Sequence, residues 1–295
     1  MTMTSKTKAL LSDVSLLFVA LVWGGGFIAV KDGLNTMTPM VLMALRFTLA
    51  AFILFVLLRK WIGKITSKDW QQGAVVGTFL FLAFAAQTYG LQFTTASKQG
   101  FLTAVYVVVV PLLSWMLYKR RPPIKAFVGS ILTLTGIGLM SLTDGLSINF
   151  GDALTLLCAV LFAAHIMSIE FFAKSMNTVK LAFIQIAVAA VFSVITALIT
   201  EPLPSGLTTQ SWIAVVYLAV FSTFLCFTVQ TIAQKYTTSS HASIIMSLES
   251  VFAAVLGVWL LKDVMTFKMI MGSILIFAAI LIVEVEFKKK EALKG

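Results

Sequence analysis

The sequence has few charged residues, and this scarcity excludes a soluble globular fold. Only 12% of its 295 residues are Asp, Glu, Lys or Arg, against roughly 25% in an ordinary soluble domain. Hydrophobic residues make up 59% of the chain, and the mean hydropathy is +0.99. This composition is typical of an integral membrane protein.

Cysteine and histidine are also scarce, with two residues of each. Cys158 and Cys226 lie in different apolar runs and, in the topology predicted below, at different depths, so no disulfide bond is expected between them. The sequence contains no H-E-x-x-H, G-x-S-x-G or P-loop string, which are motifs of zinc proteases, serine hydrolases and nucleotide hydrolases. An intramembrane enzyme is therefore only a remote alternative, and we expect no cofactor and no metal ion.

Apolar runs of membrane-spanning length are abundant. A helix needs about 20 mostly apolar residues to cross a bilayer. The runs lack the ten-residue alternation of a membrane barrel, and backbone groups in lipid must be bonded within their own segment, so each run predicts a helix. The predicted fold is an all-α integral membrane protein with ten transmembrane helices. They cover residues 13–30, 38–58, 70–92, 99–118, 124–143, 151–173, 179–200, 211–234, 241–261 and 267–286.

The net charge of +10 could suggest a nucleic-acid partner, but the basic residues form short clusters between the apolar runs. When loops are assigned alternately to the two sides of a membrane, seventeen basic residues fall on one side and four on the other, with Arg46 inside helix two. The positive-inside bias then places both termini in the cytoplasm. We therefore predict a multi-pass protein of the cytoplasmic membrane, with the lipid bilayer and no nucleic acid as a partner.

An internal repeat appears when the chain is compared with itself at an offset of 143 residues. Gln87 and Thr88 then align with Gln230 and Thr231, and residues 129–132 (GSIL) align with residues 272–275 (GSIL). The repeats at 1–145 and 146–295 would each hold five helices, an odd number, so the second must be inverted relative to the first. Inverted repeats build many secondary transporters, in which two similar halves open a central site to each side in turn.

Several segments resemble the EamA type of the drug/metabolite transporter (DMT) superfamily. They are residues 20–27 (ALVWGGGF), Pro39, 44–47 (ALRF), 95–102 (TASKQGFL), 110–112 (VPL), 151–152 (GD), 238–243 (TSSHAS) and 248–252 (LESVF). The resemblance implies a ten-helix transporter with a central cavity, whose substrates are small metabolites, often amino acids or amphipathic compounds. Ser250 stands where this family usually has proline, so helix nine is expected to lack the usual kink.

Two ionisable residues inside predicted helices are candidates for the site. Glu249 lies near the middle of helix nine, where charged side chains usually face a cavity or a partner. It could couple transport to protons, contact the substrate, or bond a neighbouring helix as a structural carboxylate. His165 shares one face of helix six with Thr155, Cys158 and Phe162, and it could line the cavity or satisfy a backbone carbonyl.

Uncharged polar side chains complete the predicted site. Helix four carries Gln99, Thr103 and Tyr106 on one face, and Pro111 interrupts its hydrogen-bond ladder and could act as a hinge. Gln87 and Gln230 occupy equivalent repeat positions and could line the cavity or bond neighbouring helices.

Three further residues are candidates for the cavity wall or for the outer side of the protein. Trp23, before three glycines, could form an aromatic wall. Arg46 and Lys98 lie toward the outer side and could attract an anionic group.

The sequence thus predicts a secondary transporter that moves a small organic metabolite, an amino acid or a related amphipathic compound, by alternating access. Export is the expected direction. Protons are a candidate coupling ion, and a proton-independent facilitator or an importer is the alternative. A channel is disfavoured because inverted repeats around polar residues near mid-membrane are typical of carriers. Monomer and dimer are both compatible with the sequence.

Overall fold

The computed structural model describes residues 4–94, 96–119, 121, 123–141, 149–202, 204, 206–260 and 266–292, and the regular structure in these residues is helical. The elements are α1 (Ser5–Leu34), α2 (Pro39–Ile62), α3 (Ser67–Leu91), α4 (Ala96–Thr103), α5 (Tyr106–Tyr118), α6 (Ile124–Ser141), α7 (Phe150–Ala173), α8 (Thr178–Thr200), α9 (Thr209–Tyr217), a π-helix (Leu218–Leu225), α10 (Cys226–Ala233), α11 (Ser239–Met246), α12 (Glu249–Leu260) and α13 (Phe267–Ala292).

Within the described residues, seven helical segments are long and apolar enough to cross a membrane. They are Thr7–Leu34, Pro39–Ile62, Ser67–Leu91, Phe150–Ala173, Thr178–Thr200, Thr209–Ala233 and Ser239–Leu256. Three shorter apolar helices cover Tyr106–Leu117, Ile124–Leu139 and Ile270–Ile282. Each of the ten predicted apolar runs overlaps one of these segments. The count of ten membrane crossings stays a prediction.

Local sequence signals set the starts of several helices. Thr66, Asn149 and Thr208 each cap a helix with the side-chain oxygen, and the residue three positions later bonds back to the capping residue. These capping boxes satisfy backbone N–H groups that the first helical turn leaves unpaired. Pro39 begins α2, where its missing N–H costs no helical hydrogen bond.

The helices pack in pairs across the two halves of the chain. α6 packs along α13, α2 along α8, and α3 along both α7 and α8, while α1 lies against α9 to α12. Gly73 and Gly77 of α3 lie directly against Ile184 and Val188 of α8, with no room for a β-carbon. This close approach is the packing role that a GxxxG pair favours.

Many large apolar side chains are exposed on the protein surface, as expected for a surface that faces lipid. Trp61, Trp70, Trp115, Trp212 and Trp259 are all exposed, and all five lie near the ends of predicted helices, where the aromatic belt of a membrane protein is found. Cys158 and Cys226 are buried free thiols.

Predicted helices four and nine each contain a two-residue break in the α-helical pattern, and neither break lies at Pro111 or Ser250. The first break lies at Ala104 and Val105, between α4 and α5, and not at Pro111, which sits inside α5. Backbone bonds from Val107 to Ala104 and from Val108 to Val105 tighten this turn. Pro111 has no backbone N–H, so it cannot make the helical hydrogen bond to the carbonyl of Val107. That carbonyl instead accepts a hydrogen bond from Ser130 Oγ of α6 at 2.8 Å.

The second break lies at Ser247 and Leu248, between α11 and α12, within the helical segment Ser239–Leu256. The expectation that Ser250 leaves helix nine without the usual kink stays a prediction. Ser247 Oγ donates to the carbonyl of Ile244 at 2.6 Å, and Ser250 Oγ donates to the carbonyl of Ser247 at 2.8 Å. Serine hydroxyls that bond to nearby carbonyls compete with the helical ladder and bend helices. Serine hydroxyls thus accompany this break, which contains no proline.

Candidate functional site

A small cavity of about 50 Å³ lies at the centre of the helices. The structure brings all eight predicted site residues to the wall of this one cavity: Trp23, Gln87, Gln99, Thr103, Tyr106, His165, Gln230 and Glu249. They come from α1, α3, α4, α5, α7, α10 and α12, so elements of both halves build the site.

Glu249 and Tyr106 meet at the start of the second part of each broken helix. Glu249 is the first residue of α12, and Tyr106 is the first residue of α5. Both side chains are buried, and the hydroxyl of Tyr106 donates to Glu249 Oε1 at 3.2 Å. In the described part of the chain, Glu249 has no cationic partner. A buried carboxylate with only a phenol as its partner can take up a proton or bind a donor group of a ligand.

The amides of Gln87 and Gln99 connect three helices beside the cavity. Gln87 Nε2 donates to Thr103 Oγ1 at 3.1 Å, and Gln99 Nε2 donates to the backbone carbonyl of Gln87. Gln99 Nε2 also lies 3.4 Å from Thr155 Oγ1 of α7. These side chains therefore bond neighbouring helices and also face the cavity, so the two roles considered for them coexist.

His165 bonds to a side chain and not to a backbone carbonyl. Its Nε2 lies 2.8 Å from Gln185 Oε1 of α8, and Gln185 Nε2 donates to Thr231 Oγ1 of α10 at 2.8 Å. The imidazole also contacts the ring of Phe227, with 5.7 Å between ring centres. This chain fixes the ring at the cavity wall.

Gln230 and Trp23 differ in whether their polar groups are hydrogen-bonded. Gln230 is buried, and its amide oxygen has no hydrogen-bond partner among the described residues. Trp23 packs against Phe227 and donates its indole N–H to the carbonyl of Ser222 at 2.9 Å. Trp23 is thus a fixed wall, whereas Gln230 offers an unused polar group to a ligand.

Sequence reasoning left several lining residues out of the predicted site. Phe27 and Phe84 give no signal in the sequence, because apolar helices contain many phenylalanines. Phe162 was noted only because it shares a face of helix six with His165. Arg46 was expected toward the outer side, where it could attract an anionic group, and the structure places it in the cavity wall. Nothing can be said of Lys98, whose side chain lies outside the described residues.

A π-helix holds one side of the cavity. Its residues Leu218 and Ser222 line the space, and Ser222 and Thr223 bond to Arg46. π-Helical turns are rare and frequently occur at functional sites.

No group of three His, Cys, Asp or Glu side chains suited to a metal ion occurs in the part of the chain that the structure describes.

Comparisons with known proteins agree with this architecture. The chain is 35% identical over 280 residues to an uncharacterized transporter of Archaeoglobus fulgidus, covering 94% of this chain and 86% of that protein. It is 23% identical over 289 residues to the uncharacterized transporter YoaV of Bacillus subtilis, covering 94% and 98% of the two chains. A solved crystal structure shares the fold with a TM-score of 0.78 at 18% identity, covering 95% of this chain and 98% of the other.

The model of the EamA-like transporter family matches the chain twice, at residues 10–142 and 149–285. The family and these named relatives are transporters, which points to a membrane transporter and not to an enzyme. The family is one type within the DMT superfamily, which the sequence segments indicated. The chain belongs to the EamA-like transporter family.

Proposed function

We propose that the protein is a secondary transporter that carries a small amphipathic metabolite, such as an amino acid or a related compound, through the central cavity by alternating access. The observation that carries this proposal is the pair of broken helices on the cavity. The breaks at 104–105 and 247–248 lie 143 residues apart, which is the offset of the internal repeat. Discontinuous helices at corresponding positions of two repeats mark the binding site in inverted-repeat transporters.

Contacts between equivalent positions support a two-fold relation between the halves. Tyr106 and Glu249 are also 143 residues apart, and they are hydrogen-bonded to each other. Phe84 and Phe227 have the same separation, and their rings are in contact with centres 5.8 Å apart. Equivalent residues touch when they lie beside the axis that relates two repeats, so these two pairs favour an axis through the cavity.

The most extensive helix pairings are preserved when the two halves are exchanged. The contacts α6–α13 and α2–α8 each map onto themselves. The contact between α3 and α7 maps onto the contact between α1 and α10, and the contact between α3 and α8 maps onto that between α2 and the π-helix. The contacts of α4 and α5 with α7 map onto those of α11 and α12 with α1. Such halves can exchange conformations, which is the structural requirement of alternating access.

The proposed arrangement in the membrane is ten crossings in two inverted units, 1–145 and 146–295, with both termini in the cytoplasm. The two matches to the family model fall one within each unit, and the distribution of Lys and Arg favours this orientation. Export across the cytoplasmic membrane rests on the family resemblance, with uptake or proton-independent facilitation as the alternative. Protons are the candidate coupling ion because Glu249 lines the cavity.

The test is flux into proteoliposomes that contain the purified full-length protein, across a panel of amino acids, amines and amphipathic aromatic compounds, with and without a pH gradient. We expect saturable flux of at least one compound and counterflow of labelled against unlabelled substrate. A matched control is Gln71→Ala, at an exposed position of α3, beside Gln87→Ala in the cavity. Flux that does not saturate and shows no counterflow would identify a channel and contradict the proposal.

A further inference from the structure

We infer that Arg46 binds a carboxylate group of the transported molecule, whose apolar body packs against the aromatic wall of the same cavity. This inference names the substrate class and rests on the proposed transport function. The relevant features are the burial of Arg46, its neutral partners, its unused nitrogen and the rings around it.

Arg46 is buried without a carboxylate partner. Its side chain is 1% exposed and lies inside α2, seven residues after Pro39 begins the helix. Nε donates to Thr223 Oγ1 at 3.0 Å, and Nη2 donates to Ser222 Oγ at 3.3 Å, so both partners are neutral hydroxyls. No ion pair joins Arg46 to an acidic side chain of the described residues. Burying a charge is costly unless it is paired, so this guanidinium calls for an anion.

One nitrogen of the guanidinium remains available to a ligand. Among the described residues nothing accepts a hydrogen bond from Nη1, and Arg46 is part of the cavity wall. The guanidinium lies over the ring of Phe84 at 4.5 Å and near the ring of Phe47 at 5.2 Å. The two hydroxyls and the two rings therefore hold the group in place before a ligand arrives, which lowers the entropic cost of binding.

The composition of the cavity favours an amphipathic monocarboxylate over a phosphate. Among the described lining residues, Arg46 is the single permanent cation. Its one positive charge would neutralise only part of the charge of a phosphate group, about −1.5 to −2. A carboxylate carries one charge and matches the planar guanidinium. Trp23, Phe27 and Phe162 line the same space and suit an apolar or aromatic body. The free amide oxygen of Gln230 can accept a hydrogen bond from a further polar group of the ligand.

The experiment compares ligands that differ only in the head group. The probes are 3-phenylpropionate, 3-indolepropionate and 4-methylpentanoate, each with the amine and the alcohol that carry the same apolar body. Binding to the purified full-length protein in detergent is measured from the concentration dependence of the thermal midpoint, since a ligand of the native state stabilises it in proportion to ln(1 + [L]/Kd). We expect at least one carboxylate to bind, with its amine and alcohol at least ten-fold weaker.

Arg46→Gln should weaken binding of that carboxylate about ten- to a hundred-fold, as expected for loss of a hydrogen bond to a charged group. Arg46→Lys keeps the positive charge but lacks the planar guanidinium. Its affinity for the carboxylate should lie between those of the unmodified protein and Arg46→Gln, and it provides the comparison if Arg46→Gln does not fold. Arg59→Gln, the same change at an exposed position of α2, should bind as the unmodified protein does.

The inference is overturned if no carboxylate binds, if the amines or alcohols bind as tightly, or if the Arg46 variants bind like the unmodified protein. Flux of the same compounds into proteoliposomes separates the two proposals. Saturable flux of an amine or alcohol without carboxylate binding would leave the transporter standing and remove the anion site. Carboxylate binding that depends on Arg46, without flux of any compound, would establish the site and contradict transport.

Discussion

Glu249 and Tyr106 form the polar contact at the centre of the cavity, and this residue pair gives the first prediction. If protons drive transport through Glu249, replacing it with glutamine should abolish accumulation driven by a pH gradient and preserve exchange of substrate for substrate. The neutral amide imitates the protonated acid, and its oxygen can still accept from the Tyr106 hydroxyl. Both modes are measured in proteoliposomes with a transported compound.

Glu291→Gln, in the charged C-terminal segment, is the matched control and should leave both modes unchanged. If Glu249 is structural, both modes should fail together and the thermal midpoint should drop. A Glu249→Gln protein with normal gradient-driven accumulation would contradict both interpretations.

The chain of bonds from His165 through Gln185 to Thr231 gives a second residue-level prediction. Gln185→Leu removes the partner of the buried imidazole nitrogen, and leaving a buried polar group unpaired costs about 1 to 3 kcal/mol. Thr231 loses less, because its hydroxyl also donates to the carbonyl of Phe227. The thermal midpoint in detergent should therefore fall, whereas Gln71→Leu at an exposed position should change it little. Equal midpoints for the two variants would show that this chain does not stabilise the fold.

At the residue level, the sequence predicted which polar side chains reach the cavity and could not predict their partners. Polar groups in an apolar helix must face away from lipid, so Gln99 and Glu249 could be placed inward from composition alone. Their partners lie far away in sequence, as Tyr106 and Glu249 do. Such partners follow from tertiary packing. Arg46 shows the same limit, since burial without an acidic partner is a property of the folded helices.

The helix breaks are the element-level feature that sequence reasoning placed wrongly. Pro111 was the visible breaker in helix four, yet Ala104 and Val105 carry the break. A proline frees one carbonyl, and a neighbouring hydroxyl can satisfy it while the helix continues, as Ser130 does for Val107. The long apolar runs themselves were predictable, because their length and hydropathy are local properties of the chain.

Because Ser130 satisfies the carbonyl that Pro111 leaves unpaired, substitutions at these two positions should have coupled effects on stability. Ser130→Ala alone leaves the buried carbonyl of Val107 without its partner and should lower stability by about 0.5 to 1.5 kcal/mol. In a Pro111→Ala background, the new backbone N–H can bond to Val107, so the same Ser130→Ala change should cost much less. Thermal midpoints of the four proteins of this double-mutant cycle measure the interaction. Additive effects of the two changes would contradict the hydrogen-bond exchange.

At the scale of the whole molecule, elements of both halves surround one cavity, and the proposed inverted arrangement agrees with this observation. α3 packs on α7 and α1 packs on α10, so each half covers the cavity side of the other. The contact between the equivalent residues Tyr106 and Glu249 indicates a two-fold relation between the halves, and an axis in the membrane plane or normal to it both allow such a contact. The inverted topology is the premise on which the proposed transport cycle depends.

Single-cysteine labelling tests this premise directly. With Cys158 and Cys226 first replaced, cysteines introduced at Ser67 and Lys288 should react only with reagents that reach the cytoplasm, and cysteines at Ser147 and Ser205 only with impermeant reagents applied outside. The reason is that the loop before Ser67 carries basic residues, whereas its counterpart around Ser205 carries none, and positive charge is retained inside. A permeant reagent that labels all four positions is the control. Labelling of Ser205 from the cytoplasm would give both halves the same orientation, and alternating access by exchange of inverted halves would then be impossible.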